Sequence, residues 1–127
     1  MVAPMTSRRL NIGSGTEFEN LVGYSRAVRT GAHISVAGTT GAGDDIVTQT
    51  RNALQRIQAA LRDVGSGLSD VVRTRIYVTD ISHWREVGAV HAEFFADVRP
   101  AATMVEVSAL IEPGLLVEIE ADAYAES

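Results

Sequence analysis

From Ile46 the apolar residues Ile46, Val47, Ala53, Leu54, Ile57, Ala60, Leu61 and Val64 recur at intervals of three and four, and the pattern stops at Gly65. This spacing predicts an amphipathic helix with Arg51, Gln55, Gln58 and Arg62 on its far side. Asp44 or Asp45 stands just ahead of it, where an aspartate accepts from the exposed N–H groups of a first turn. A second helix is expected from about Ser82, its candidate cap, to Phe95. Its buried stripe would be Trp84, Val87, Val90 or His91, Phe94 and Phe95. Pro100 closes that stretch, because proline disfavours helix in the residue before it.

Elsewhere the period is two. In "VVRTRIYVTD", Val72, Thr74, Ile76 and Val78 share one face of a strand, and Arg73, Arg75 and Tyr77 share the other. Two strands close the chain, Ala102 to Val107 and Leu116 to Ala123, joined by "SALIEPG" with its Pro113-Gly114 turn. In the last one Val117, Ile119, Ala121 and Ala123 oppose Glu118, Glu120 and Asp122. At the front, Arg8 to Ile12 is a short strand, "GSGTEFEN" reads as a loop, and "YSRAVRTG" and "AHISVAG" form a hairpin about Thr30-Gly31.

The order is βββαβαββ, which predicts an α+β sandwich: a sheet of about six strands with both helices on one face. The second face would then carry Arg73, Arg75, Tyr77, Met104, Glu106, Glu118 and Glu120. Two readings of it stay open. Cross-strand ion pairs explain it as a solvated surface, while Met, Tyr and Arg are also favoured in oligomer interfaces.

Length and composition narrow the function classes. The 127 residues fit one domain spanning 1–127. The absence of Cys removes disulfides and thiol nucleophiles and fits a reducing, cytoplasmic setting. "MVAPMTSRRL" lacks the apolar run of a leader, and no stretch approaches the roughly 20 apolar residues of a membrane span. All 11 basic residues are Arg, and the net charge of −5 argues against an extended nucleic-acid footprint.

Individual motifs are weak. His33, His83 and His91 lack metal-ligand spacing, so no metal is expected, and His91 fits a packing role beside Phe94 and Phe95. Glu118 and Glu120 point the same way about 7 Å apart, which suits either paired acid–base work or ion pairing with Arg73 and Arg75. Gly38, Gly41 and Gly43 lie between a strand and a helix without the Lys-Ser/Thr of a phosphate loop. No serine has a Gly-x-Ser-x-Gly setting.

Three stretches together resemble the Rid (YjgF) family of reactive imine and enamine deaminases: "YSRAVRTGAHISVAG", "VVRTRIYVTDISHWREVGAVHAEFF" and "RPAATMVEVSALIEPGLLVEIEADA". The resemblance implies a chorismate-mutase-like fold of the bacillus type, and a homotrimer with ligand clefts between subunits. In active members an arginine at the third place of Pro-Ala-Arg clamps a substrate carboxylate, a geometry that a bidentate guanidinium suits. Here Pro100 and Ala101 match, and Ala102 stands in the arginine's place. Ala37, Gly88 and His91 replace a serine, an asparagine and a tyrosine.

Tyr24, Gly38 and Glu120 match, Glu120 as the residue that positions the attacking water. Thr103 and Met104 take cleft-lining places. Arg75 either substitutes for the missing arginine or pairs with a glutamate. The implied function is a trimer binding a small, mostly uncharged metabolite and hydrolysing an imine or enamine, with no cofactor, no membrane and no nucleic-acid partner. On this reading 2-iminopropionate releases little ammonia. The alternatives are a non-catalytic ligand-binding or chaperone-like module and, last, an endoribonuclease, the activity sometimes attributed to relatives.

Overall fold

A computed structural model describes residues 9–126; Arg8 and most of the segment read for a leader lie outside the described residues. The elements run β1 (Arg9–Ile12), α1 (Glu17–Val22), β2 (Ala27–Thr30), β3 (His33–Thr39), α2 (Ile46–Asp63), β4 (Val71–Val78), α3 (Trp84–Phe95), β5 (Ala101–Glu106) and β6 (Val117–Tyr124). The six strands form one mixed sheet in the order β1-β2-β3-β6-β4-β5. Only the β4–β5 pair is parallel, because α3 crosses over between them.

The periodic positions are the core. On the sheet, Ile34, Val36, Ile76, Val78, Val117, Ile119 and Ala121 are buried, and Ala53, Leu54, Ile57 and Leu61 of α2 close over them with Val87, Val90 and Phe95 of α3. The two long helices cover one face, as the pattern predicts. Asp45 caps α2 by accepting from the Thr48 N–H at 2.8 Å. Gln49, a polar residue facing inward, donates to the carbonyls of Gly43 and Gly114 and accepts from the Leu116 N–H, tying both flanking loops to the helix.

Four local features depart from the sequence pattern. First, α1 occupies part of the stretch read as loop: Phe18, Leu21 and Val22 have helical spacing, and Gly23 ends the turn at φ +89°. Second, Asp80 rather than Ser82 caps the second helical stretch, accepting from the Ser82 N–H in a 3-10 turn (Ile81–His83) that leads into α3. Trp84 lies half-exposed under the Arg85 guanidinium instead of in the core. Third, a register shift at the start of β4 buries Val71 and turns Val72 outward.

The fourth departure concerns β5. Its register pairs Thr74 with Ala102, Ile76 with Met104 and Val78 with Glu106. Residues paired across a sheet share a face, so Ala102, Met104 and Glu106 stand on the helix side. Ala101, Thr103 and Val105 instead join Arg73, Arg75 and Tyr77 on the bare face, and Arg73 donates to the Thr103 hydroxyl at 3.1 Å. Met104 and Glu106 thus leave the mixed-charge face expected from alternation alone.

Candidate functional site

A bulge in the middle of the sheet creates the site. The β3–β6 register runs from Val36 opposite Ala121 to Thr39 opposite Ile119, leaving an extra residue at Ala37–Gly38. The Glu118 carboxylate lies against the bulge at Gly38, which has no side chain. A Cβ on Gly38 would collide with it. The adjoining cavity measures about 620 Å³, within the range of small-molecule sites. Phe18 and Val22 of α1 and Ile111 and Leu115 of the β5–β6 connection supply its apolar walls.

Its polar floor is cationic. Arg26 is buried and donates to the Gly38 carbonyl at 2.7 Å, the Thr39 hydroxyl at 2.9 Å and the Tyr24 hydroxyl at 3.3 Å. Glu19, also buried, lies 3.7 Å from Arg26 Nε. The Ser14 hydroxyl and backbone N–H donate to Glu19 and, despite burial, hold its carboxyl below the ordinary value. Arg56 reaches in from α2 and donates to the Thr40 carbonyl at 2.6 Å.

Glu118 behaves in the opposite way to Glu19. Burial, and then the negative charge of Glu120, push its pKa up, and Arg26 only partly offsets them. Among the described residues no donor is bonded to it. A carboxyl that holds its proton more tightly than usual and has no bonded donor is free to exchange that proton with a bound molecule.

The residues named from sequence fall into separate groups. Tyr24, Ala37 and Gly38 meet at the cavity. Glu120 shares an adjacent depression with Tyr24 and Ala37, but it accepts from the Tyr77 hydroxyl at 2.8 Å and lies 3.6 Å from Arg75. That bond raises the Tyr77 pKa. Arg75 donates to Asp122 at 3.0 Å, so carboxylates engage it.

Across the sheet, Ala102 stands beside Thr74, whose hydroxyl is 2.9 Å from His91 Nε2. The His91 ring packs 4.7 Å from that of Phe95, and burial lowers its pKa, as a packing role requires. Met104 packs half-buried against the core, and Thr103 faces away from it on the bare side. One chain therefore does not bring His91, Ala102, Thr103 or Met104 to the cavity that holds Gly38.

Sequence reasoning missed Arg26 and Arg56 as site residues and weighed Glu118 only as half of a pair. Arg26 was marked only by its place two residues after Tyr24, and Arg56 by its place beside the apolar Ile57 on α2. Among the described residues no group of three or more His, Asp or Glu is placed to hold a metal ion, and no helix is long and apolar enough to cross a membrane.

Comparison with known proteins places this geometry. The sequence model of the family described as Endoribonuclease L-PSP matches residues 14–125. A RutC family protein of Pyrococcus abyssi is 37% identical over 111 residues, covering 81% of this chain and 87% of that protein. The 3-aminoacrylate deaminase RutC of Acinetobacter baylyi is 35% identical over 80 residues, 63% of each chain. The crystal structure of Rv2704 from Mycobacterium tuberculosis, a member of the YjgF/YER057c/UK114 family, superposes with a TM-score of 0.91 at 68% identity, covering 92% of this chain and 99% of that one. The sheet order, the long helices and these relatives agree: the chain belongs to the YjgF (Rid) family and has its chorismate-mutase-like α+β fold.

Proposed function

We propose that this protein hydrolyses a small imine or enamine, with Glu118 moving the protons and the cavity completed between copies of the chain. The observation that carries this is the Glu118 carboxylate: half-buried, raised in pKa and without a bonded donor, at a bulge where Gly38 leaves it room. The resemblance alone puts the water-positioning role on Glu120, whose carboxylate is already held by Tyr77 and Arg75. In hydrolysis, Glu118 takes a proton from water as its oxygen bonds to the imine carbon, and the C=N π pair moves to nitrogen. The carbinolamine then collapses to a carbonyl, and the nitrogen leaves as ammonia with protons from Glu118 and the hydroxyl. An enamine first tautomerises to the imine, gaining a proton at carbon from the protonated Glu118 carboxyl and returning one from nitrogen to the carboxylate. The deaminase name of the Acinetobacter relative supports this class, since 3-aminoacrylate is itself an enamine.

The same reading includes assembly as a homotrimer. The sheet face carrying Tyr77, Thr103 and Val105 is bare, the β5 edge is exposed, and Val22 and Ile111 leave apolar surface at the cavity rim. A neighbouring copy would cover these surfaces and bring the His91–Ala102–Met104 group toward the cavity of the first. Position 102 then contributes a small apolar wall and no charge. A non-catalytic binding module is the second reading, favoured by Ala102 itself. The net charge of −5 weighs against RNA as substrate.

The test is ammonia release, with and without the protein, from imines generated by an amine oxidase, which carry no carboxylate, and by an amino-acid oxidase, which carry one. Acceleration by the wild type, lost in Glu118→Gln and largely kept in Glu120→Gln, is expected. Equal acceleration by wild type and Glu118→Gln refutes the role of Glu118. Ligand-induced stabilisation without turnover establishes the binding-module reading. Light scattering at micromolar concentration should give three times the chain mass.

A further inference from the structure

Ala102 removes one anion clamp, and the arginines of the structure are not equal candidates to replace it. Arg75 is engaged by Asp122 and Glu120. Arg26 divides its donors among Gly38, Thr39 and Tyr24. Arg56 differs from both. Its Nη1 donates to the Thr40 carbonyl, and among the described residues that is the acceptor it has, leaving Nε and Nη2 without a protein acceptor on a residue that lines both this cavity and a neighbouring depression with Ser14 and Asp63.

Among the described residues no carboxylate lies within ion-pair distance of Arg56. Burial and the neighbouring Arg26 cation work against its charged form, and Tyr24 and Glu19 offset them only in part. Arg26 Nε is itself buried with no acceptor at hydrogen-bond distance, its nearest carboxylate being Glu19 at 3.7 Å. Glu17 and Glu112 also line the cavity, but both are exposed, where water screens them. Two guanidiniums at the floor of a cavity share one buried carboxylate, and a second anion would relieve them.

We propose that Arg56 is the anion anchor of this cavity, holding the carboxylate of a small monocarboxylate ligand whose reactive end lies toward Glu118. This rests on the assignment of the cavity as the reaction site. It replaces the expectation of an uncharged ligand, which followed from position 102 alone. The anchor sits on α2, on a different wall from β5, so the ligand meets its charge partner within the same chain that supplies Gly38 and Glu118. Arg26 lines the same cavity as Arg56 and Glu118.

Pyruvate and its neutral isostere pyruvamide are the probes, titrated by calorimetry or ligand-observed NMR into the intact protein. Wild type should bind pyruvate at least about tenfold more tightly than pyruvamide, as a charge-assisted bidentate contact requires. Arg56→Gln should lose that preference while keeping pyruvamide affinity, and Arg56→Lys should keep a reduced one. Equal binding of the two probes by wild type, no pyruvate binding at millimolar concentration, or an unchanged preference in Arg56→Lys and Arg56→Gln each overturns the proposal. Should Arg56→Gln fail to fold, the wild-type ratio and the lysine variant decide. Imine hydrolysis that depends on Glu118 while the pyruvate preference is absent defeats the anchor alone. A preference that survives beside hydrolysis indifferent to Glu118→Gln defeats the reaction assignment and leaves the anchor standing.

Discussion

Glu118 and Glu120 are the same residue type, two positions apart on one strand and on one face of the sheet, yet they lie in opposite environments. Glu120 faces Tyr77 and Arg75 in a network that continues to Asp122. Glu118 faces a bulge, a glycine and a cavity, with no bonded donor among the described residues. Both lie between β4 and β3: Tyr77 and Arg75 of β4 turn to Glu120, although Tyr77 is paired with Glu118, and beside Glu118 the bulge of β3 presents Gly38, which has no side chain. Role follows from surroundings.

The largest expected effect comes from neutralising each in turn. Glu118→Gln should lower imine turnover by about a hundredfold or more, in line with loss of a general acid–base group. Glu120→Gln should lower it less than about fivefold, because its carboxylate acts on Tyr77 and Arg75 rather than on the ligand. Single-turnover ammonia release on both variants measures the contrast. Comparable losses would show that the two glutamates act as one coupled pair.

A second test tightens the geometry instead of the charge. Gly38→Ala would place a methyl group where the Glu118 carboxylate now lies, and that carboxylate is the far end of a flexible side chain. The side chain can swing away at small cost, so the melting temperature should move by only a few degrees. Turnover should fall about tenfold, because the displaced carboxylate no longer meets the reacting atoms. A collapse in stability with full specific activity in the folded fraction would mean that Gly38 serves the backbone and not the acid.

How much of this was legible beforehand differs between the two regions as well. The α2 stripe, its Asp45 cap and the alternation in β4 and β6 follow from local periodicity, and they hold because each element buries the face its pattern marks. The bulges do not follow from local pattern. A register shift is a property of two strands at once, so nothing within "AHISVAG" alone reveals that Ala37–Gly38 leaves the ladder. The face of Met104 was misjudged for a related reason: β5 has few buried residues to fix its phase, and parallel pairing with β4 sets it instead. The short helix α1 was visible in Phe18, Leu21 and Val22 but was masked by the glycine-rich lead-in. Arg56 stayed hidden because a helix-borne arginine beside an apolar stripe reads as surface until the cavity beneath it is known.

The pH dependence of stability reports on the burial of Glu118 more gently. Glu118 has its folded-state pKa raised above the ordinary 4.5, chiefly by burial, so the folded state holds that proton more tightly than the unfolded chain. Its contribution to stability is therefore fully present below the unfolded value and is lost as pH rises through the folded one. Glu118→Gln removes this loss. Denaturant midpoints of wild type and variant should nearly coincide at pH 4, and the variant should be the more stable at pH 7. A wild type more stable than the variant at pH 7 would mean that Glu118 has an unrecognised partner.

In the isolated chain the smallest effect belongs to the network around Glu120. Arg75, Glu120 and Asp122 are partly exposed, and ion pairs in that setting contribute about 0–1 kcal/mol each. In the isolated chain Arg75→Met should therefore change the unfolding free energy by less than about 1 kcal/mol, with the effect shrinking further in 1 M salt. In an assembly that covers the bare face, the same substitution removes a desolvated cation and leaves two carboxylates facing each other. The cost should then rise to several kcal/mol, since breaking one partner of a buried pair strands the other. Measuring Arg75→Met at protein concentrations above and below the dissociation of the oligomer reads that difference directly. A small, concentration-independent effect would show that the face carrying Tyr77 and Glu120 remains in water.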